Sequence, residues 1–189
     1  MTPAYVLYKL TPRDNGKTDK IPVNVEGAPV DAQNPANWMT EADARRLAAV
    51  LGLGVGVVIT PESKLFALDL DGANDGAAWA PYVQPILNAF PGAYTEVSVS
   101  GRGLHVIGSY AGSRPAHGTR CAEIRGELYT GGRFIALGEP FGGGSMGADH
   151  TAGLAWLLPR FPARETHDSG EWTDSPVPGH GIAADAELV

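Results

Sequence analysis

The chain has a single cysteine, Cys121, in 189 residues. An internal disulfide and a cysteine-rich zinc site are therefore both excluded. No run approaches the roughly 20 consecutive apolar residues that a membrane helix needs. The first residues carry neither the basic patch nor the apolar stretch of a signal peptide. These absences predict an intracellular, cytoplasmic protein with no membrane partner. Lys and Arg are missing from residues 165–189, where Glu165, Asp168, Glu171, Asp174, Asp185 and Glu187 stand among Gly and Pro. A stretch with so little to bury predicts a disordered acidic tail, or a linker to a further C-terminal region. Residues 1–164 then form one domain.

The formal net charge of −7 is mostly a property of that tail. Once its six acids are set aside, the remaining acidic residues nearly balance the 14 Lys and Arg. Within the domain, Arg102, Arg114, Arg120, Arg125 and Arg133 fall in one stretch, opposed only by Glu123 and Glu127. The charge total thus neither demands an anionic ligand nor excludes one.

Hydrophobic patterning predicts a mixed α/β arrangement. Ala4–Leu10 reads as a strand followed by a polar loop, Thr11–Lys20, and Val23–Asn37 as irregular because of Gly27, Pro29 and Pro35. Thr40 is placed to cap a helix over Glu41–Leu51, ended by Gly52. Val55–Ile59 and Leu65–Leu70 are strand-like runs, most simply a hairpin through Pro61–Lys64. Ala77–Phe90 has helical character, although Pro81 and Pro85 oppose it in the first half. Tyr94–Val99 and Leu104–Tyr110 read as strands joined through Ser100-Gly101-Arg102-Gly103. Cys121–Arg125 and Arg133–Leu137 read as a further strand pair, and Thr151–Leu158 as a closing helix.

Three segments carry residues suited to chemistry. In Leu68-Asp69-Leu70-Asp71-Gly72, alternation along a strand puts Asp69 and Asp71 on one face and the leucines on the other. Two carboxylates on one face repel unless a cation or donors sit between them, and Mg²⁺ takes a few such oxygens before completing its shell with water and phosphate. The competing reading is a strand that simply runs into an Asp-Gly turn. In Ser100-Gly101-Arg102-Gly103-Leu104-His105, backbone N–H groups, Ser100 and Arg102 suit an anion, and His105 follows on the next strand; an ordinary hairpin turn has the same composition. In Glu123-Ile124-Arg125, alternation puts the two charges on one face, where a cross-strand salt pair is the simpler explanation; Arg133 offers a further anion contact. His117, His150, His167 and His180 lie in Gly/Pro-rich or tail segments and are expected at the surface without a role.

Taken in order, these segments resemble the primase-polymerase catalytic domain of the archaeo-eukaryotic primase superfamily, in the form found in bifunctional primase/polymerase proteins of phages and plasmids. The matching residues are Leu68-Asp69-Leu70-Asp71, Gly103-Leu104-His105 within Ser-Gly-Arg-Gly, and Ala122-Glu123 running on to Gly131-Gly132-Arg133-Phe134. Lys20-Ile21-Pro22 and the Gly54–Val58 strand resemble features that precede the first motif, so the similarity spans roughly residues 4–140. The resemblance implies an α+β fold with an RRM-like antiparallel catalytic sheet flanked by helices. It implies a DNA polymerase, a DNA primase or both, acting in phage or plasmid DNA replication by a two-metal mechanism with Mg²⁺ or Mn²⁺. Asp69, Asp71 and Glu123 would hold the metals. His105 would bind the incoming triphosphate, supported by Ser100 and Arg102, with Arg125 and Arg133 as further nucleotide contacts. The partners implied are a DNA template and primer and a dNTP or NTP, with a helicase or accessory domain in a longer protein. A metal-dependent nuclease or phosphotransferase would use the same residue types, and a non-catalytic module that binds single strands on an RRM-like sheet is the third reading.

Overall fold

The computed structural model describes residues 3–163; the expected acidic tail lies outside them. Among the described residues, ten strands and three α-helices are arranged as two antiparallel sheets with a few helices, an α+β architecture. The first sheet has the order β2 (Thr18–Val23), β1 (Ala4–Pro12), β3 (Gly54–Ile59), β9 (Arg133–Ala136). The second has the order β10 (Glu139–Pro140), β5 (Tyr94–Val97), β6 (Leu104–Ser109), β4 (Leu65–Leu70), β8 (Gly126–Tyr129), β7 (Arg120–Cys121). No helix among the described residues is long and apolar enough to cross a membrane.

The central strand β4 shows why the chain folds this way. Phe66, Leu68 and Leu70 point to one face and are fully buried against α2 (Val83–Ala89) and α3 (Thr151–Leu157), with Ile86, Phe90, Leu154 and Leu157 as partners. Leu65 and Ala67 point to the other face and share a core with Leu7, Val57 and Ile59 of the first sheet and with Ala44 and Ala48 of α1 (Glu41–Leu51). A strand covered on both faces reads as a nearly continuous apolar run. Its one interruption is Asp69, which lies on the face turned toward the first sheet. A register slip of one residue would turn that carboxylate into the helix-covered core, so burial of the leucines fixes where the charge goes.

The helix α1 forms as expected. The Thr40 side chain accepts from the backbone N–H of Asp43 at 3.2 Å, and Gly52 closes the helix at φ +66°. That conformation strains any residue with a Cβ. Helix α3 also lies where the periodicity placed it. Helix α2 is shorter than the expected 77–90: it begins at Val83, after Pro81, and holds Pro85 in its first turn, where the missing N–H costs no helical bond.

Three expectations are corrected. The polar loop after β1 is only residues 13–17, because Thr18–Val23 returns as β2 and pairs with β1 from Leu7↔Val23 to Pro12↔Thr18. The runs β3 and β4 are not a hairpin. β3 is paired on both edges by β1 and β9, and β4 by β6 and β8, so the 60–64 turn carries the chain from one sheet to the other. The segment Cys121–Arg125 is not a strand paired with Arg133–Leu137. Ala122–Arg125 is the turn between β7 and β8, Arg125 has φ 48°, and β9 crosses to the first sheet. Alternation marks a run as a strand but says nothing about which edge it joins.

Candidate active site

The strand register sets a row of polar side chains across the second sheet. Glu96 on β5 lies opposite His105 on β6, His105 opposite Asp69 on β4, Asp69 opposite Glu127 on β8, and Glu127 opposite Arg120 on β7. All stand on the face that looks toward the first sheet, where the shared apolar core gives way to polar groups. Asp71 follows directly after β4, its backbone N–H donating to the Arg125 carbonyl at 3.0 Å.

The one histidine of the row is buried, at 3% exposure. Its Nδ1 is 2.7 Å from Glu96 Oε1 and its Nε2 is 3.4 Å from Asp69 Oδ1. Burial pushes the imidazole toward neutrality, but the bonds to Asp69 and Glu96 outweigh it and raise its pKa to about 9. A proton on both ring nitrogens is what two flanking carboxylates require. Burial likewise pushes Asp69 upward; the His105 bond and charge, with Lys20 and Arg133 adding to them, carry it below the usual carboxylate range. Asp71 moves the opposite way. Burial and then the charges of Asp69 and Glu127 raise it, with Lys20 and His105 only partly offsetting them. Two neighbouring acids thus have opposed protonation preferences, a common property of sites that handle charge.

Glu127 stands at none of the motif positions, yet it is the acid in register with Asp69. Arg120 Nε donates to its Oε1 at 2.8 Å and the Tyr129 hydroxyl donates to its Oε2. Glu123 lies four residues earlier, on the exposed β7–β8 turn and outside the row. The alternation of Glu127, Leu128, Tyr129 against the Gly131-Gly132 turn was the available signal. It is as good a strand end as the one given to Glu123.

A cleft of about 410 Å³ opens in front of Asp69 and His105. Its far wall comes from the first sheet: Lys20 on β2, Arg133 on β9, and Arg13 in the β1–β2 turn. Arg133 stacks over the Tyr129 ring, 5.0 Å from its centroid. Arg13 is already paired to Asp19, which leaves Lys20 and Arg133 as the cations nearest Asp69. A larger cavity of about 730 Å³ lies beside residues 114–120 and Pro162, but no acidic side chain lines it.

The other sequence candidates take varied places. Ser100 and Arg102 lie in the β5–β6 turn. Ser98, at the entry to the turn, organises it: its hydroxyl accepts from the Gly103 N–H at 3.0 Å and lies 3.0 Å from the Ser100 hydroxyl. A Cβ at Gly103 would come within 2.8 Å of Ser98 Oγ and 3.0 Å of the Leu70 carbonyl, so glycine is required there for close approach. The Arg125 guanidinium packs over Gly72, beside Asp71. Two histidines expected at the surface are not there. His150 is buried against Phe66 and Phe90, and His117 is partly buried with its nitrogens bonded to Thr130 Oγ1 and the Gly118 carbonyl. His167 and His180 lie outside the described residues.

Among the described residues, no group of three or more His, Cys, Asp and Glu stands in an arrangement able to hold a metal ion. The donors that come nearest are Asp69, Asp71 and Glu127. They are all hard oxygens; Asp71 is raised first by burial and then by the charges of Asp69 and Glu127, and a cation would offset only the latter. No known family model matches the chain, and no curated protein matches it significantly.

Proposed function

We propose that the chain is a template-directed nucleotidyltransferase, a primase-polymerase domain of the archaeo-eukaryotic primase superfamily that extends or primes DNA. The observation that carries this reading is the pairing of two unlike walls across one cleft: Asp69 and His105 on one sheet face Lys20 and Arg133 on the other, while Glu127 stands in register beside Asp69 and Asp71 follows directly after its strand. A nucleoside triphosphate needs both walls. Its phosphates suit the cations and the protonated histidine, and its reacting phosphorus lies between them and the acids.

The third carboxylate is here assigned to Glu127, which shares the sheet face with Asp69, whereas the motif resemblance had pointed to Glu123. Asp69, Asp71 and Glu127 would hold Mg²⁺ or Mn²⁺, which when bound lower the pKa of an attacking hydroxyl and neutralise phosphate charge. His105 donates from Nε2 at the cleft floor and orients the triphosphate. Lys20 supplies a point charge, while the planar Arg133 guanidinium, steadied on Tyr129, offers paired donors to phosphate oxygens. Arg102 and Ser100 on the β5–β6 turn, and Arg125 beside Asp71, would make outer contacts with nucleotide or template. Base choice would come from pairing with the template strand, so no base-reading side chain is called for. Primer extension on a single-stranded DNA template, with each nucleotide type and metal in turn, tests the proposal; wild type should lengthen the primer and Asp69→Ala should not.

A further inference from the structure

We propose that Glu96 is a positioning residue: from inside the sheet it fixes the His105 ring so that Nε2 alone faces the cleft. The phosphate that Nε2 meets rests on the nucleotidyl-transfer reading, whereas the fixing of the ring does not. Glu96 is 0% exposed, the most deeply buried acid of the row, and it does not line the cleft. An ionised carboxylate in such a place is costly unless every oxygen is engaged. Both are engaged here. Oε1 lies 2.7 Å from His105 Nδ1, and Oε2 accepts from the Tyr94 hydroxyl at 3.0 Å.

The geometry gives Glu96 one task. It stands directly opposite His105 in the β5–β6 ladder, so its reach to Nδ1 is set by backbone pairing and not by a flexible loop. Tyr94 lies two residues earlier on the same strand face and holds the second oxygen, which stops the carboxylate from rotating. With Nδ1–H committed to Glu96, a flip of the imidazole would break a short charge-assisted bond with no replacement in the buried pocket. Nε2 is therefore held toward Asp69, 3.4 Å away, at the edge of the cleft shared with Lys20 and Arg133. An apolar residue at position 96 would leave His105 Nδ1–H and the Tyr94 hydroxyl without this partner and the ring free to turn. A carboxylate behind a working imidazole commonly has this orienting function.

The test is a double-mutant cycle read by binding. Wild type, Glu96→Gln, His105→Ala and the double variant are titrated with dATP and Mn²⁺ by calorimetry, and the imidazole N–H protons are followed by NMR. Glu96→Gln should weaken dATP binding about tenfold, within the 10- to 100-fold range for losing such a supporting partner. In the His105→Ala background the same change should cost less than about twofold, because the residue acts only through the ring. Tyr94→Phe should give a smaller loss that also vanishes without His105, and it stands in should Glu96→Gln fail to fold. Wild type should show a strongly downfield Nδ1–H proton that moves upfield or disappears in Glu96→Gln. A full tenfold loss in the His105→Ala background, or unchanged affinity in Glu96→Gln, would overturn the proposal. Failure of wild type to bind dATP would instead count against the nucleotidyl-transfer reading, and the Nδ1–H resonance would still decide the positioning: its absence from wild type overturns it.

Discussion

Asp69 and Glu127 lie directly opposite one another on β4 and β8, two carboxylates facing the same side of the sheet. Like charges at directly opposed positions of an antiparallel pair destabilise it. His105 answers Asp69 from the other neighbouring strand and Arg120 answers Glu127 at the edge, but Asp71 is left raised, by burial first and then by both acids. The fold therefore concentrates negative charge at one point and spends buried polar groups to keep it there. Under the proposed function, a bound cation and polyphosphate would share in balancing that charge.

The first prediction separates the two glutamates. Glu127→Gln should lower the rate of primer extension by about 10²-fold or more, equivalent to roughly 2.7 kcal/mol in the barrier. Glu123→Gln, on an exposed turn, should stay within about threefold of wild type. Steady-state extension rates of the two variants decide which acid belongs to the site.

Metal binding is predicted to stabilise the fold. A cation that binds the folded chain alone raises the unfolding midpoint in proportion to the logarithm of its concentration. Mn²⁺ should therefore raise Tm in wild type and much less in Asp69→Asn or Glu127→Gln. Without metal, Asp71→Asn should itself raise Tm at neutral pH, since its carboxyl is held above the usual range and its charge opposes folding.

The pH dependence follows from the two directions at the centre of the row. His105 is raised from 6.5 to about 9, so its protonated form stabilises the fold fully below about 6.5, and that contribution is lost as pH rises through 9. Asp69 is lowered, so its contribution is present above the ordinary carboxylate range and is lost as pH falls through its folded value. Metal-free protein should lose about 5 °C of Tm between pH 7 and pH 9.5. In His105→Gln that alkaline limb should flatten.

Lys20 and Arg133 lie on the opposite wall and should act on binding. Lys20→Ala and Arg133→Ala should each raise KM for dNTP roughly tenfold with a smaller change in kcat, the pattern of a contact kept in ground and transition states alike. Arg133→Lys should recover little, because lysine lacks the planar fork that stacks on Tyr129.

Much of the second sheet was legible in the sequence because burial writes alternation plainly. The Leu68/Leu70 pair, the capped helix from Thr40 to Gly52 and the β5–β6 hairpin all came from local signals that tertiary contacts did not override. What local signals could not give was pairing. β3 and β9 pair with each other and not with the strands next to them in sequence, and only such long-range edges decide that Arg133 reaches the cleft from a different sheet. Glu96 was hidden for a related reason. In Tyr94–Val97 it reads as one polar residue of a half-exposed strand, and its burial appears only when His105 is brought opposite. The β1–β2 hairpin is polar on its exposed side and shows no apolar period, so Lys20 reads as part of a loop.

The most direct measurement is single-nucleotide resolution of primer products on templates of differing sequence, with Mg²⁺ or Mn²⁺, for wild type and Asp69→Ala. The account predicts that wild type adds the nucleotide complementary to each template base and that Asp69→Ala adds none. Primer shortening by wild type, addition that ignores the template, or undiminished addition by Asp69→Ala would contradict it.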